Sequence, residues 1–204
     1  MQRDIHRLFV PILVVTTILQ FSIPTHAASR LLEILNEKNA TEPRKIVRVS
    51  SEYLERRDIT IAEKVDAYKT RAKAYLSIRR ERAALTDLEA ALNLAPDDTD
   101  LLHAAGGLAL KLGQNRTALR HFNSWREISP SSVEGHTFAA ISYKRLKQYP
   151  EALIALEEVL KINPNLPDIL GLKATLLIEL GKYLEAVQIF DRLIAKLPSH
   201  VKYL

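Results

Sequence analysis

The chain has 204 residues, of which 47% are hydrophobic and only 6 are glycine, a composition that favours helices. It contains no cysteine, which excludes disulfides, cysteine-ligated metals and thiol catalysis. The net charge of +5 fits a helical surface kept soluble by lysine and arginine, and does not by itself indicate a nucleic-acid partner.

The start of the chain has the layout of a secretory signal peptide. Arg3 and Arg7 form a basic start, residues 8–23 carry no charge, and Thr25 and Ala27 supply small residues where a signal peptidase reads. We therefore expect a signal peptide over residues 1–27, export of the remainder, and a periplasmic location in a Gram-negative host. The apolar run is just short of the roughly 20 residues that span a bilayer, so an uncleaved anchor is the alternative.

Residues 28–64 are predicted to form an atypical helical pair. Ser29–Glu37 fits a short helix with Ser29 as its N-cap. A second helix is predicted from Pro43, since proline is tolerated in a first turn, to about Arg57. Terminal repeats are often irregular because only one of their sides is covered, so this pair is interpreted as a degenerate N-terminal repeat.

The rest of the chain repeats every 34 residues, a period typical of a helical solenoid. The repeated prolines are Pro96, Pro130, Pro164 and Pro198. Each unit is predicted to hold two helices joined by a short turn. The units are residues 65–98, 99–132, 133–166 and 167–200, followed by a tail of residues 201–204.

Capping residues mark the ends of these helices. Gly113 and Gly181 lie where first helices end, a position that favours a left-handed residue. Asp98 and Ser132 precede first helices and are predicted N-caps. Pro167 is predicted at a first helical position.

Small residues recur on both helices and predict that the two helices of a unit approach closely. On first helices they are Ala72, Gly106, Ala140 and Ala174, and on second helices Ala84, Ala118, Ala152 and Ala186. The large residues expected to fill the seam beside them are Leu88, Phe122, Leu156 and Phe190.

This pattern resembles the tetratricopeptide repeat family over residues 65–200. The resemblance implies an all-α, right-handed helical solenoid of four clear repeats plus the degenerate N-terminal pair, with first helices lining a concave groove. Trp125 stands where the repeat usually has a small residue, and His136 where it usually has a large apolar one. We expect these two residues to mark an irregular contact between helices in the middle of the array.

The groove positions of the family, carried over to this sequence, have one acidic and one basic edge. The acidic row is Asp66, Asp100, Glu134 and Asp168. Acids in first turns and bases in last turns also favour the helix dipole, which is the alternative explanation of both edges. The groove residues predicted to contact a peptide or an extended protein segment are Lys73, His103, Lys111, Ile141, Lys144 and Arg145.

The sequence offers no pattern that indicates catalysis. The histidines beyond the signal segment are His103, His121, His136 and His200, and none has a metal-ligand spacing. Gly106-Gly107 lacks the phosphate-loop pattern and is better interpreted as close helix packing. We therefore predict no catalytic residue, no metal and no cofactor.

Positive charge is concentrated near the N-terminus. Residues 41–82 hold 12 lysines or arginines and 7 acids. This segment is a candidate for contact with anionic lipid headgroups, and an ordinary solvated helical face is the alternative. The compartment and the lack of interleaved aromatic residues argue against nucleic acid.

The C-terminal end is predicted to carry an association patch, because the last helix has apolar residues at helical spacing on the side where a further unit would pack. The patch is expected to serve self-association or partner docking, unless residues 201–204 fold back over it. Its predicted centre is Ile194, Leu197, Tyr203 and Leu204.

These features together predict a non-enzymatic adaptor or assembly factor for proteins of the cell envelope. One alternative is an accessory subunit or fragment of an envelope enzyme complex. The other is a membrane-anchored periplasmic scaffold, which requires that the signal segment is retained.

Overall fold

The computed structural model describes residues 28–195, which form ten α-helices and, over that range, no strand. The helices are α1 (Ala28–Glu37), α2 (Pro43–Leu54), α3 (Ile61–Ser77), α4 (Glu81–Leu94), α5 (Thr99–Lys111), α6 (Asn115–Ile128), α7 (Val133–Arg145), α8 (Tyr149–Ile162), α9 (Pro167–Glu179) and α10 (Tyr183–Ala195). The chain divides into two compact units, Met1–Ala95 and Pro96–Leu204. The predicted signal segment lies outside the described residues.

In the first unit the helices begin and end differently from the expectation. Ser29 lies inside α1 rather than at its N-cap, and α2 ends at Leu54, before the predicted end. Helix α3 begins at Ile61, four residues before the predicted unit, because Thr60 and Glu63 form a capping box ahead of it. The first helix of the first predicted repeat is therefore one turn longer than its counterparts.

Tyr53 ties α2 to the start of α3. Its side chain is 2% exposed, and its hydroxyl donates a hydrogen bond of 2.8 Å to the Glu63 carboxylate. Burial and this bond raise the pKa of Tyr53 to about 12. Hydrogen bonds from the Thr60 backbone and from Tyr53 lower the pKa of Glu63. A buried carboxylate with these donors is satisfied, so the degenerate pair has its own polar link to the repeat that follows it.

A buried ion pair connects α3 and α4. The Arg71 guanidinium donates through Nε and Nη2 to the two oxygens of Asp87, at 2.8 and 2.7 Å. The Asp87 side chain is 4% exposed and that of Arg71 19%. A further donor of Arg71, Nη1, reaches the Ser51 hydroxyl of α2 at 2.9 Å, so one guanidinium joins three helices.

In all four repeats, the turn between the two helices has a left-handed residue at the same position. Gly113 and Gly181 both have φ of 74°, as predicted. Arg79 and Lys147 occupy the equivalent positions with φ of 58° and 61°, although neither residue type favours that conformation. The shared turn is thus set by the packing of the helix pair as well as by glycine.

The predicted caps of the second unit are confirmed. Asp98 accepts a hydrogen bond from the Leu101 backbone, and Ser132 accepts one from the Gly135 backbone. Each such cap typically stabilises a helix by about 1 kcal/mol. Pro167 opens α9 as expected.

Close packing at the small residues is also confirmed. The seven alanines of the two predicted rows are at most 1% exposed. Gly106 is buried in α5, and a Cβ placed on it would lie 2.6 Å from the Phe122 ring. Leu88, Phe122 and Leu156 are likewise at most 1% exposed, whereas Phe190 is 37% exposed. Phe190 therefore differs from its three counterparts, because it is not fully covered.

Candidate protein-binding surface

Five of the six predicted groove residues lie on two helices of the second unit that contact each other. His103 and Lys111 are on α5, and Ile141, Lys144 and Arg145 are on α7. Lys111 and Arg145 are exposed, and the other three are half-buried.

The sixth predicted groove residue, Lys73, lies on α3 in the first unit and is half-buried. Burial and the charge of Lys69 lower the pKa of Lys73.

The second unit has an acidic edge and a basic edge on its first helices. Asp100, Glu134 and Asp168 occupy the first turns of α5, α7 and α9, and all three are exposed. Lys111 and Lys144 occupy the last turns of α5 and α7. Each charge has the sign that its helix end favours, so the helix dipoles contribute to this arrangement.

Arg145 has a structural contact that the sequence did not predict. Its guanidinium donates a hydrogen bond to the carbonyl oxygen of Leu110, in the last turn of α5. The same carbonyl accepts from the Gly113 backbone at 3.1 Å, so Arg145 adds a second bond to the end of α5 from the neighbouring repeat. Arg145 therefore contributes to the packing of the two repeats as well as to the basic edge.

Small and compact residues lie between the two edges. The Thr137 hydroxyl donates to the Val133 carbonyl, and the Thr175 hydroxyl donates to the Gly171 carbonyl, so both side chains fold back onto their own helices. A Cβ built on Gly171 meets nothing within 4 Å. The surface is therefore open at Gly171 of α9.

An aromatic cluster surrounds His103. The His103 ring centroid lies 5.2 Å from those of both Trp125 and Phe138, and Phe122 stacks on Phe138 at 5.1 Å. Burial lowers the pKa of His103, against the opposing charges of Asp100 and Glu134. The His103 Nε2 atom is buried and has no hydrogen-bond partner among the described residues. The cluster packs His103 against Trp125 of α6 and Phe138 of α7 at the acidic end of the surface.

The two residues that departed from the repeat pattern both make the irregular contacts expected of them. Trp125 packs on His103, which belongs to the first helix of its own repeat. The Arg126 Nε donates to His136 Nδ1 at 3.0 Å, and His136 Nε2 lies 2.9 Å from the Pro130 carbonyl oxygen. His136 is thus a buried, hydrogen-bonded link between α6 and α7 and not a metal ligand.

One cleft of the second unit was not predicted. It encloses about 520 Å³ along the polar face of α6 and the turn between α7 and α8. Its lining includes Arg116, Arg120, Glu127, Leu146 and Gln148. The only sequence signal for this cleft was the polar face of α6, whose residues are spaced three and four apart. That spacing is ordinary for a solvated helix.

In the first unit, part of the basic segment lines a smaller cleft. Arg44 and Arg80 flank Val47, Tyr75 and Ile78 around a volume of about 190 Å³. Two of the 12 basic residues of this segment therefore lie beside one cleft.

No arrangement for metal chemistry or membrane crossing is found between residues 28 and 195. No three His, Asp or Glu side chains in that range converge as a metal site requires. None of its helices combines the length and hydrophobicity needed to span a bilayer.

The predicted C-terminal patch lies partly outside the described residues. Ile194 is 53% exposed on α10, while Leu197, Tyr203 and Leu204 are not among the described residues. Val187, one of the apolar residues at helical spacing on which the prediction rested, is also exposed on α10. Tyr183 and Leu184 are further exposed apolar residues of this helix.

The chain is similar to a known family and to known proteins. Residues 145–204 match the tetratricopeptide repeat family model. The protein FlbA of Caulobacter vibrioides is 28% identical over 132 residues, which are 62% of this chain and 22% of FlbA. The chain thus spans about a fifth of the length of that relative.

Solved structures of MamA are similar in fold. A crystal structure of MamA has a TM-score of 0.67 at 15% identity, covering 87% of this chain and 95% of that one. MamA from Desulfovibrio magneticus, from residue 41 to its end, has a TM-score of 0.64 at 14% identity, covering 85% and 96%. The match over residues 145–204 and the shared fold make the chain similar to tetratricopeptide-repeat proteins.

Proposed function

We propose that the protein is a non-enzymatic adaptor or assembly factor of the cell envelope, which binds an extended protein segment across the first helices of its second unit. The observation that carries this proposal is the pair of oppositely charged edges on α5 and α7, separated by small and half-buried side chains. Such a surface can accept the backbone of a segment and discriminate among segments by their charges.

The expected ligand carries charges of both signs. An acidic residue of the segment would meet Lys111 and Lys144, and a basic residue would meet Asp100 and Glu134. Ile141, half-buried between these edges, supplies apolar contact. Electrostatic complementarity of this kind sets the direction in which the segment lies.

Export is the part of the proposal that places the protein in the envelope. It is supported by the basic start, the apolar run and the small residues before Ala28. We expect N-terminal sequencing of the protein from its native host to give Ala28. Recovery of intact Met1 from a membrane fraction would support the anchored scaffold instead.

Two further contacts belong to the proposal. The basic segment, with Arg44 and Arg80 beside one cleft, is suited to anionic lipid headgroups at the membrane surface. The C-terminal end is suited to self-association or docking through the apolar residues of α10.

Reversing the charge of the basic edge is expected to weaken partner capture. The double variant Lys111→Glu/Lys144→Glu should lose roughly tenfold or more in affinity, since a hydrogen bond to a charged group is worth about 1.5–3 kcal/mol. Arg145 is left unchanged because it bonds to the end of α5. The measurement is affinity capture from envelope extracts with mass spectrometry, followed by titration of the captured protein.

The matched control is Arg116→Glu/Arg120→Glu, which makes the same change of charge in the α6 cleft. It should retain the partner. Capture lost in this control and kept in the first variant would place the binding surface on α6. Circular dichroism should show the same helicity for all three proteins.

A further inference from the structure

Helix α10 carries a continuous apolar stripe. Tyr183, Val187, Phe190 and Ile194 follow one another at intervals of four, three and four residues, and are 64%, 52%, 37% and 53% exposed. At 100° per residue these four side chains fall within about 60° of one another around the helix. Scattered exposed apolar residues need no explanation, but a stripe along one helix face does.

The same positions are covered one repeat earlier. Their counterparts 34 residues before, on α8, are Tyr149, Leu153, Leu156 and Leu160. All four belong to one apolar cluster with Ile169, Leu172 and Leu176 of α9, and Leu156 is 0% exposed. The stripe on α10 therefore has the spacing of a surface that packs against another helix.

The stripe is distinct from the face that attaches α10 to its own repeat. Ala186, 1% exposed, and Ile189 pack with Ala174 and Leu177 of α9. That face lies about a quarter-turn around α10 from the stripe. A helix can therefore cover the stripe while α10 keeps its place.

Among the described helices of a second copy, α10 is the one that best matches the stripe. Outside α10, the large apolar side chains that are exposed there have no run of three at helical spacing, and they are Leu32, Ile61, Ile128, Ile154, Ile162 and Ile178. The intervals of four, three and four are those of a two-stranded helix seam. They read the same in both directions, so the stripe is complementary to itself when the two helices run antiparallel.

We propose that α10 pairs antiparallel with α10 of a second copy, about a two-fold axis between Gln188 and Ile189. In this pairing Val187 meets Phe190 of the second copy, and Tyr183 meets Ile194. The inference rests on the proposed association of the C-terminal end and is independent of the groove. An isologous contact of this kind closes as a dimer and does not propagate.

The contact is small. Two helices of 13 residues bury less surface than a standard stable interface. The dimer is therefore expected to dissociate on dilution, and sedimentation of the full chain should depend on its concentration. Val187→Glu should abolish that dependence, because it places a charge in the centre of the seam, while its circular dichroism stays that of the wild type.

The cysteine-free sequence allows the geometry to be tested directly. Val187→Cys and Phe190→Cys chains, one of them tagged, are mixed and oxidised. Because the pairing brings positions 187 and 190 together, the mixed disulfide should exceed either like-with-like product on the order of tenfold, as expected for groups held at high effective concentration.

The control uses Glu185→Cys with Arg192→Cys. These positions have the same midpoint as 187 and 190 but lie on the opposite side of α10 from the stripe. They should give little crosslinking. Three outcomes would each overturn the antiparallel pair. They are equal crosslinking in the control, a preference for like-with-like products, and a wild type that is strictly monomeric.

A separate readout distinguishes this inference from the broader proposal. If the wild type is monomeric and Val187→Glu loses a captured envelope protein, the C-terminal end docks that protein and the second copy is excluded. If neither self-association nor capture responds to Val187→Glu, both the inference and the association role of the C-terminal end are wrong.

Discussion

Replacing Asp87 with alanine is expected to lower the free energy of unfolding by about 3–5 kcal/mol, because it leaves the Arg71 charge partly buried without its carboxylate. The two side chains are 4% and 19% exposed and share two hydrogen bonds shorter than 3 Å. Arg71 also reaches Ser51, so the loss should loosen α2 as well as the pair α3 and α4. Urea denaturation followed by circular dichroism measures the change.

Two companion variants test the cause. Glu158→Ala removes an ion pair with Lys161 in which the two side chains are 40% and 70% exposed, and it should lower the free energy of unfolding far less than Asp87→Ala does. The double variant Arg71→Met/Asp87→Ala leaves no unpaired charge and should cost less than Asp87→Ala alone. If Asp87→Ala cost no more than Glu158→Ala, the buried pair would not stabilise the first unit.

Alanine substitutions at two glycines are expected to change stability in opposite directions. Gly106→Ala should destabilise the second unit by about 1–3 kcal/mol through overpacking. The added Cβ would lie 2.6 Å from the Phe122 ring, which is 0% exposed and stacks on Phe138. The gain in helix propensity, about 1 kcal/mol, offsets only part of that cost.

Gly171→Ala is the matched control, since it makes the same chemical change in the interior of α9 with nothing within 4 Å of the new atom. It should stabilise by up to about 1 kcal/mol. Trp125, the single tryptophan, lies beside His103 and Phe122, so its fluorescence follows unfolding of this region. If both variants change the free energy of unfolding in the same direction, Phe122 moves aside at little cost in free energy.

The order and bounds of most helices could be predicted from the sequence, because the 34-residue period and the caps act locally. Asp98 and Ser132 bond to backbone amides three residues away, and glycine at position 113 adopts the left-handed turn that the sequence implies. The small residues at helix crossings were also predictable, since a close approach of two helices leaves few residue types that fit. The boundary taken from the 34-residue register was wrong at α3, where the local capping box of Thr60 and Glu63 starts the helix one turn early.

The candidate site was predictable only in outline. Acidic and basic helix ends follow from the repeat register, and five of the six groove residues lie on α5 and α7 as that register requires. The role of Arg145 could not be predicted, because its partner is a backbone carbonyl 35 residues earlier and no residue type marks a carbonyl as available. The cleft along α6 was missed for a similar reason, since a polar helix face has the same pattern with or without a cleft beside it.

The repeat follows from the sequence alone, because a closely packed helical pair needs small residues and the same turn in every copy. The tertiary structure shows which equivalent positions differ in their surroundings. Phe122 and Phe190 occupy the same position in their repeats, yet one is 0% exposed and the other 37%. Phe122 is covered by Phe138 of the following helix, and burial depends on that neighbour rather than on the residue itself.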